Sequence, residues 1–332
     1  MKHVALIALA AVVLTPGAPA QSVPNSNPAF TEQFEAGKRA LNDGHFKDAL
    51  GALKKAVKLQ EDCYACYTGL AIANLKLGDG KAALESCDKA ISLAKGDSAR
   101  AYAHNLKGQI LLSKAENATQ LEMAEEEYRM AVQLDPAAAA YHLNVATVLV
   151  RQSKDEAAKS ELEACMKANP NPEVAKTAKM LLADPRRGRE TFAPDFKVRT
   201  LSGEQASLQQ FAGKVLVMDF WATWCPPCRE SVGELKDLTK KYPAEKLVLI
   251  SVSADKDDDA WRSFIEKKHM GWLQYRDSDH QLLDAFGIHG FPTYLVIDGD
   301  GIIRTRIVGL NPQETVVHRL RATLEKMPQL NQ

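Results

Sequence analysis

The chain has 332 residues, enough for about two domains of average size. Its 42 basic and 42 acidic residues cancel, which excludes the broad positive field typical of proteins that bind nucleic acids or anionic membranes. A hydrophobic fraction of 45% with 25% charged residues is typical of a globular chain and excludes a disordered or integral membrane protein. We therefore expect two folded domains and no nucleic-acid partner.

Residues 1–20 have the pattern of a secretory signal peptide. Lys2 and His3 precede an apolar run over 4–14, and a small-residue cleavage site over 18–20 follows. The apolar run of about eleven residues falls short of the roughly twenty that a membrane-spanning helix needs, although an uncleaved anchor is the alternative. We predict an exported protein, periplasmic or extracellular, that is not held at a membrane after signal cleavage and keeps its disulfides.

The N-terminal half repeats with a period of 34 residues. A small residue recurs at spacings of 34, 41 and 34, in Ala49, Ala83, Ala124 and Ala158. A bulky or sulfur residue follows each anchor by four positions and a small one by seven, which marks one face of a helix. Further small residues predict close helix contacts in the preceding helix of each unit, at Gly37, Ala71, Gly108 and Ala146.

This pattern resembles the tetratricopeptide repeat (TPR) family over residues 30–171, as four helix pairs, with a capping helix that completes a domain over 30–184. The extra residues of the third unit are placed in loops, near 96–100 and over 113–119. The resemblance implies an all-α solenoid whose groove docks a peptide or protein ligand. It does not identify that ligand, because groove chemistry varies within the family.

The composition changes after residue 184. Residues 185–192, which include three arginines, are interpreted as a linker, either a solvated tether or a small basic patch. All four tryptophans lie beyond it. Short β-branched apolar runs alternate there with helical stretches; the runs cover 215–220, 247–252 and 294–297, and the helices 230–241 and 260–268. This alternation indicates an α/β sheet domain.

A predicted strand runs directly into the sequence Cys225-Pro-Pro-Cys228, which begins a helix. Unpaired backbone N–H groups and the helix dipole stabilise a thiolate at this position. Cys225 is therefore the predicted nucleophile. Cys228 follows one helical turn later, close enough to form a disulfide and to act as the resolving cysteine.

Residues 193–327 resemble the TlpA/ResA-like branch of the thioredoxin superfamily. The segments 193–196, 201–203 and 208–214 are similar to its N-terminal hairpin, and 255–288 to its inserted helix and strand. The sequence Gly290-Phe-Pro-Thr293 is similar to its cis-proline loop, which implies that Pro292 is the cis residue beside the disulfide. It also implies that this loop, with Phe291 and Thr293, binds an extended substrate strand. The predicted fold is therefore multidomain, an all-α TPR solenoid followed by an α/β thioredoxin-like fold.

Two further residues near the cysteines are assigned roles. Asp219 occupies the position at which thioredoxins keep a buried acid, and as a general base it would take the proton of Cys228; the alternative is a strand aspartate that faces solvent. Trp224 is predicted to cover the disulfide and shape the docking surface, with core packing as the alternative. Ser231 and Gly233 stand where the branch usually has glutamate and proline, so proton transfer falls to Asp219 or water.

Cys63 and Cys66 form a second pair with the same spacing. A local structural disulfide is the favoured interpretation, and a second redox pair or free thiols are the alternatives. A zinc site would need two further ligands that the nearby sequence lacks, so we predict no metal, and no cofactor besides the redox-active disulfide. Cys87 and Cys165 are assigned to packing, and the acidic run 255–259 to a solvated helix start.

These observations predict an exported thiol-disulfide oxidoreductase. Reduction of protein disulfides is favoured because the branch mostly reduces, and a redox partner protein would then supply the electrons. The TPR domain would dock a client or partner protein. Two alternatives stay open: a peroxiredoxin-like peroxidase, because the opening at 193–196 is shared with that family, and a TPR scaffold whose thioredoxin-like domain is an adaptor.

Overall fold

The computed structural model describes residues 27–309 and 316–331. The predicted signal peptide, residues 1–20, lies outside this range. The chain divides into two compact units between Arg189 and Glu190, within the segment 185–192 that was interpreted as a linker. In the part of the chain that the structure describes, no helix has both the length and the apolarity to span a bilayer.

The N-terminal unit consists of consecutive helices. They are α1 (Pro28–Asn42), α2 (Phe46–Leu59), α3 (Tyr64–Lys76), α4 (Gly80–Leu93), α5 (Asp97–Lys114), α6 (Ala118–Leu134), α7 (Ala139–Arg151), α8 (Asp155–Lys167) and α9 (Pro172–Ala183). The pairs α1–α2, α3–α4, α5–α6 and α7–α8 pack against each other, and α9 packs on α8. The predicted TPR solenoid is confirmed. Several helices begin at a side chain that accepts a backbone N–H, as with Asn117 and Asn171.

The small residues lie where two helices cross. The four repeat anchors, Ala49, Ala83, Ala124 and Ala158, are fully buried. A Cβ atom added at Gly37 would lie 2.6 Å from Leu53 Cγ, and one at Gly108 would lie 2.7 Å from the ring of Tyr128. Because atoms do not approach this closely, only glycine allows the neighbouring side chain to pack flat on the helix backbone.

The extra residues of the third repeat differ from the prediction. They were expected in loops near 96–100 and 113–119, but α5 has 18 residues and α6 has 17, against 13 in α3 and 14 in α4. Asp97 provides an acid in the first turn of α5, and Asn117 caps α6 by accepting from Gln120 N. Such groups favour a helix start, so most of the insertion lengthens helices.

The segment after α9 is also different from the expected solvated tether. Pro185–Gly188 forms one 3-10 turn, and Gly188 packs against Val150. The guanidinium of Arg189 binds both carboxylate oxygens of Asp155 and the carbonyl of Val150. A planar guanidinium and a carboxylate form two parallel hydrogen bonds, which hold this segment on the repeat unit.

The C-terminal unit is built on a mixed sheet. A hairpin of β1 (Lys197–Arg199) and β2 (Gln205–Ser207) precedes it. The sheet has the order β5-β4-β3-β6-β7, with β3 (Val215–Trp221), β4 (Leu247–Ser253), β5 (Leu273–Arg276), β6 (Thr293–Ile297) and β7 (Ile303–Val308). β3, β4 and β5 are parallel, and β6 and β7 are antiparallel to their neighbours. The helices are α10 (Pro226–Lys241), α11 (Asp258–Lys267), α12 (Gln281–Ala285), α13 (Val316–Leu324) and α14 (Pro328–Asn331).

Strand β3 lies at the centre of the sheet and is buried along its whole length. Val215 and Val217 pack with α10 and α13, whereas Leu216, Met218 and Phe220 pack on the opposite face with α12 and the hairpin. This burial on both faces explains the continuous apolar run in the sequence. The carboxyl end of β3 leads directly to Cys225, which places the cysteine pair just beyond the C-terminal end of the central strand.

Candidate active site

Cys225 is the N-cap residue of α10. Its backbone is extended, and Sγ accepts the backbone N–H of Cys228 at 3.3 Å. Prolines occupy the first helical positions, where the N–H that proline lacks would have no partner within the helix. Cys225 and Cys228 form a disulfide and are 5% and 2% exposed. The helix start therefore holds both sulfurs together at the surface end of a buried strand.

The loop before β6 lies next to this disulfide. The Phe291–Pro292 peptide bond is cis, and Phe291 packs on the cluster that contains both cysteines. Thr293 is buried, and its hydroxyl donates to the carbonyl of Gly290 at 2.7 Å. The side chain of Thr293 thus closes the loop, while its part in substrate binding stays a prediction.

Trp224 is the most prominent side chain at the site. It is 64% exposed, and its ring meets Phe291 edge-on with centroids 5.8 Å apart. This exposure excludes the alternative that Trp224 is a core residue. Exposed aromatic rings bind partners through large apolar surfaces, so the position suits the predicted docking role.

Asp219 lies in β3 and is only 2% exposed, which excludes the alternative of a solvent-facing strand aspartate. Its Oδ2 accepts the hydroxyl of Ser251 at 2.7 Å. Within the described residues Oδ1 has no hydrogen-bond partner. Burial raises the pKa of Asp219 to about 7, although the hydrogen bond from Ser251 acts in the opposite direction. A carboxyl group that exchanges its proton near neutral pH is chemically suited to act as a general base.

Ser231 is part of a short hydrogen-bonded chain below the disulfide. The Tyr294 hydroxyl donates to Ser231 Oγ at 2.7 Å, and Ser231 donates to the Cys228 carbonyl at 2.8 Å. Burial raises the pKa of Tyr294, so its hydroxyl stays neutral. Tyr294 could not be recognised as a site residue from the sequence, because only its pairing with Asp219 in neighbouring strands reveals that it belongs to the site.

A groove of about 560 Å³ lies beside Trp224 and Phe291. Its other lining residues include Thr223, Asp255, Lys256, Asp257 and His280. Asp255 is 3% exposed and accepts both the backbone N–H and the hydroxyl of Thr223, at 2.9 and 2.6 Å. Asp255 was predicted to lie in a solvated helix start, but it is buried. Thr223 follows β3 and Asp255 follows β4, so their hydrogen bonds hold the loop that precedes Cys225 in place.

Cys63 and Cys66 also form a disulfide at a helix start. Cys63 caps α3 and accepts the backbone N–H of Cys66 at 3.1 Å. The pair is 2% and 0% exposed and packs against Phe30 and Leu53. The bonded sulfurs and this packing support the interpretation as a local structural disulfide, which stays a prediction. Cys87 and Cys165 are buried and unpaired, as predicted for packing residues.

No group of three or more metal-ligating side chains occurs among the residues that the structure describes. The functional side chains that converge are those around Cys225 and Cys228.

Two family models match the chain. Residues 188–324 match the model described as Redoxin, and residues 34–98 match the model described as Tetratricopeptide repeat. The TPR match lies in the N-terminal unit, and the Redoxin match lies in the C-terminal unit except for its first two residues.

Curated relatives match the C-terminal unit. Thioredoxin-like protein YneN of Bacillus subtilis (strain 168) is 34% identical over 131 residues, which are 39% of this chain and 76% of that protein. Thiol-disulfide oxidoreductase ResA of Bacillus thuringiensis subsp. konkukian (strain 97-27) is 30% identical over 129 residues, 39% of this chain and 75% of that protein. Among solved structures, a thiol-disulfide oxidoreductase from Bacteroides fragilis NCTC 9343 is 28% identical with a TM-score of 0.36. The match covers 40% of this chain and 98% of that structure's chain.

Proposed function

Since the chain belongs to the family of thioredoxin-like thiol-disulfide oxidoreductases that includes ResA, we propose that it is an exported enzyme that reduces disulfides in client proteins. The observation that carries the proposal is the Cys225–Cys228 disulfide at the start of α10, next to the exposed ring of Trp224 and the cis peptide at Pro292. The cysteine pair itself is the redox group, and the proposal needs no metal or other cofactor.

The reaction begins with the reduced pair. The thiolate of Cys225 attacks one sulfur of the client disulfide, so that a new S–S bond forms and the other client sulfur leaves as a thiolate. Asp219 then takes the proton of Cys228, and the electron pair left on this sulfur attacks Cys225 Sγ. The bond between Cys225 and the client breaks, and the second client sulfur leaves as a thiolate. The client thiolates take up the proton held by Asp219 and one proton from water, so the client is released as a dithiol and the enzyme becomes the disulfide found in the structure. A redox partner protein restores the dithiol by the reverse exchange.

Client binding uses the surface around the disulfide. An extended client segment pairs with backbone groups of the loop 290–293, as in β-strand addition. The rings of Trp224 and Phe291 cover its apolar side chains, and the groove next to them accommodates a residue that flanks the client cysteine. The repeat unit docks a client or partner protein, which raises the local concentration of the disulfide to be reduced.

Insulin reduction by the full-length protein tests the enzymatic proposal. The wild-type protein should accelerate precipitation of insulin B chains by dithiothreitol, and the Cys225→Ser/Cys228→Ser variant should abolish this effect. The Cys63→Ser/Cys66→Ser variant is the matched control, since it removes a pair of equal spacing that is enclosed by helices, and it should retain activity. A double-serine variant at 225 and 228 that matches the wild type would contradict the proposal.

The two alternatives give different results in parallel assays. A peroxidase would consume hydrogen peroxide at a rate that exceeds its reduction of insulin. A scaffold would retain its partners through washing with reductant, with or without Cys225. The proposed enzyme, in contrast, releases its covalently bound clients under reductant.

A further inference from the structure

A line of polar side chains crosses the sheet below the cysteine pair. Tyr294 of β6, Asp219 of β3, Ser251 of β4 and Gln274 of β5 are register partners in successive strands. Each is at most 3% exposed. Register partners point to the same face of a sheet, so these four residues form one polar row in an apolar layer. The mechanism described above uses only part of this row.

The two hydrogen bonds of Ser251 each have a defined direction. Trp272 Nε1 lies 2.8 Å from Ser251 Oγ, and Ser251 Oγ lies 2.7 Å from Asp219 Oδ2. An indole N–H can only donate, so the serine oxygen accepts from Trp272. The hydroxyl hydrogen of Ser251 is therefore donated to Asp219 Oδ2, which is its acceptor in the described part of the chain.

This arrangement distinguishes the two oxygens of Asp219. Oδ2 already receives the hydrogen of Ser251, whereas Oδ1 meets no partner in the described part of the chain. When Asp219 is neutral, its proton therefore resides on Oδ1. When Asp219 is ionised, Oδ1 is the atom with lone pairs available to a new donor.

We propose that Ser251 and Trp272 are positioning residues that hold the carboxyl group of Asp219 so that Oδ1 accepts the proton of Cys228 during resolution. This inference rests on the proposed function, because it assigns one step of that reaction. In this step the S–H bond of Cys228 breaks and an O–H bond forms at Oδ1. The electron pair remains on the Cys228 sulfur, which attacks Cys225.

The hydrogen bond from Ser251 also keeps Asp219 ionisable in the working pH range. Burial raises the pKa of Asp219, and donation from Ser251 to the carboxylate limits this rise, to about 7. Among the described residues, the titratable groups on or next to this face of the sheet include Tyr294 in the row itself, Glu234 on α10, which acts on Tyr294, and the two cysteines at the start of α10. The residues of α13 that pack on this face, Leu320 and Leu324, do not titrate. The residues of α11 at the site, Trp261 and Ile265, do not titrate. Burial thus brings the ionisation of Asp219 into the neutral pH range in which the step is measured.

The test uses the reduced full-length protein and the chromogenic disulfide 5,5′-dithiobis(2-nitrobenzoate). Attack by Cys225 releases one thionitrobenzoate, and resolution by Cys228 releases the second, so the two steps give separate phases. Ser251→Ala should raise the pH midpoint of the second phase by about one unit, which lowers its rate at pH 7 about five-fold, with recovery above about pH 9. The first phase should be unchanged.

Ser253→Ala is the matched control. Ser253 is buried in the same strand, and its hydroxyl donates to a different carboxylate, that of Asp255, at 2.6 Å. This variant should keep the wild-type midpoint. Ser251→Thr keeps a hydroxyl at this position and should keep the wild-type midpoint. Trp272→Phe removes only the donor to Ser251, so it should raise the midpoint by less than Ser251→Ala does.

An unchanged midpoint of the second phase in both Ser251→Ala and Trp272→Phe would overturn the inference, as would an equal shift in Ser253→Ala. This outcome is separate from failure of the proposed function. If the wild-type protein does not reduce insulin, the proposed function is wrong, while titration of the ¹³C-labelled Asp219 carboxyl in the full-length protein still decides whether Ser251 controls its ionisation.

Discussion

Replacement of Asp219 by asparagine should stabilise the C-terminal unit at neutral and alkaline pH. Asp219 is buried in the central strand, and burial raises the pKa of this carboxyl group from 3.8 to about 7. Asparagine has nearly the same shape and can still accept from Ser251, but it carries no charge at any pH. The variant therefore removes the cost of ionising a buried group and changes little else.

The size and sign of the effect follow from proton linkage. Between about pH 4 and 7 the folded state still holds a proton that the unfolded state has released, so wild-type stability falls as the pH rises. The difference of about three pKa units corresponds to about 4 kcal/mol in the free energy of unfolding, and the wild-type protein has lost this full amount above pH 7. Asp219→Asn should thus match the wild type near pH 4 and exceed it by about 4 kcal/mol at pH 8.

Tryptophan fluorescence during urea unfolding measures this difference. All four tryptophans lie in the C-terminal unit, so the signal reports that unit alone. The disulfides are kept oxidised, and unfolding is followed at several values of pH between 4 and 8. Parallel stability curves for Asp219→Asn and wild type over this range would refute the argument, because they would mean that Asp219 titrates alike in the folded and unfolded states.

Two further predictions concern the repeat unit and the docking surface. Gly108→Ala places a Cβ atom 2.7 Å from the ring of Tyr128 and should destabilise the repeat unit by about 1–3 kcal/mol, as measured by thermal unfolding. Gly51→Ala is the control, because no atom lies within 4 Å of the added Cβ, and it should stabilise α2 by about 0.5–1 kcal/mol. A loss of stability in both variants would contradict the packing argument. Trp224→Ala should lower kcat/KM for insulin about ten-fold, since an aromatic contact contributes up to about 1.5 kcal/mol, with no change in melting temperature because the ring is largely exposed; unchanged kcat/KM would exclude a docking role.

The elements that carry the site could be predicted because their signals are local. A continuous apolar run identifies β3 as a strand buried on both faces, and the sequence Cys225-Pro-Pro-Cys228 marks the helix that follows it. The repeat helices were predicted from a spacing that small residues keep wherever two helices cross. In each case neighbouring residues in the sequence determine the structure.

Other features depend on residues that are distant in the sequence. Ser251 and Asp255 each pair with a residue 32 positions away, so only the register and ends of β3 and β4 reveal their roles. Arg189 binds Asp155 across 34 positions, which turned an apparent tether into a packed segment. The composition of a segment shows its polarity, whereas the partner of a polar side chain is determined by the tertiary fold.

Covalent trapping with full-length Cys228→Ser is the most direct test of thiol-disulfide exchange at Cys225. After incubation with insulin, we expect a mixed disulfide between client and enzyme that peptide mapping places on Cys225 and that dithiothreitol releases. Absence of this adduct, or its formation at Cys63, Cys66, Cys87 or Cys165, would contradict the account.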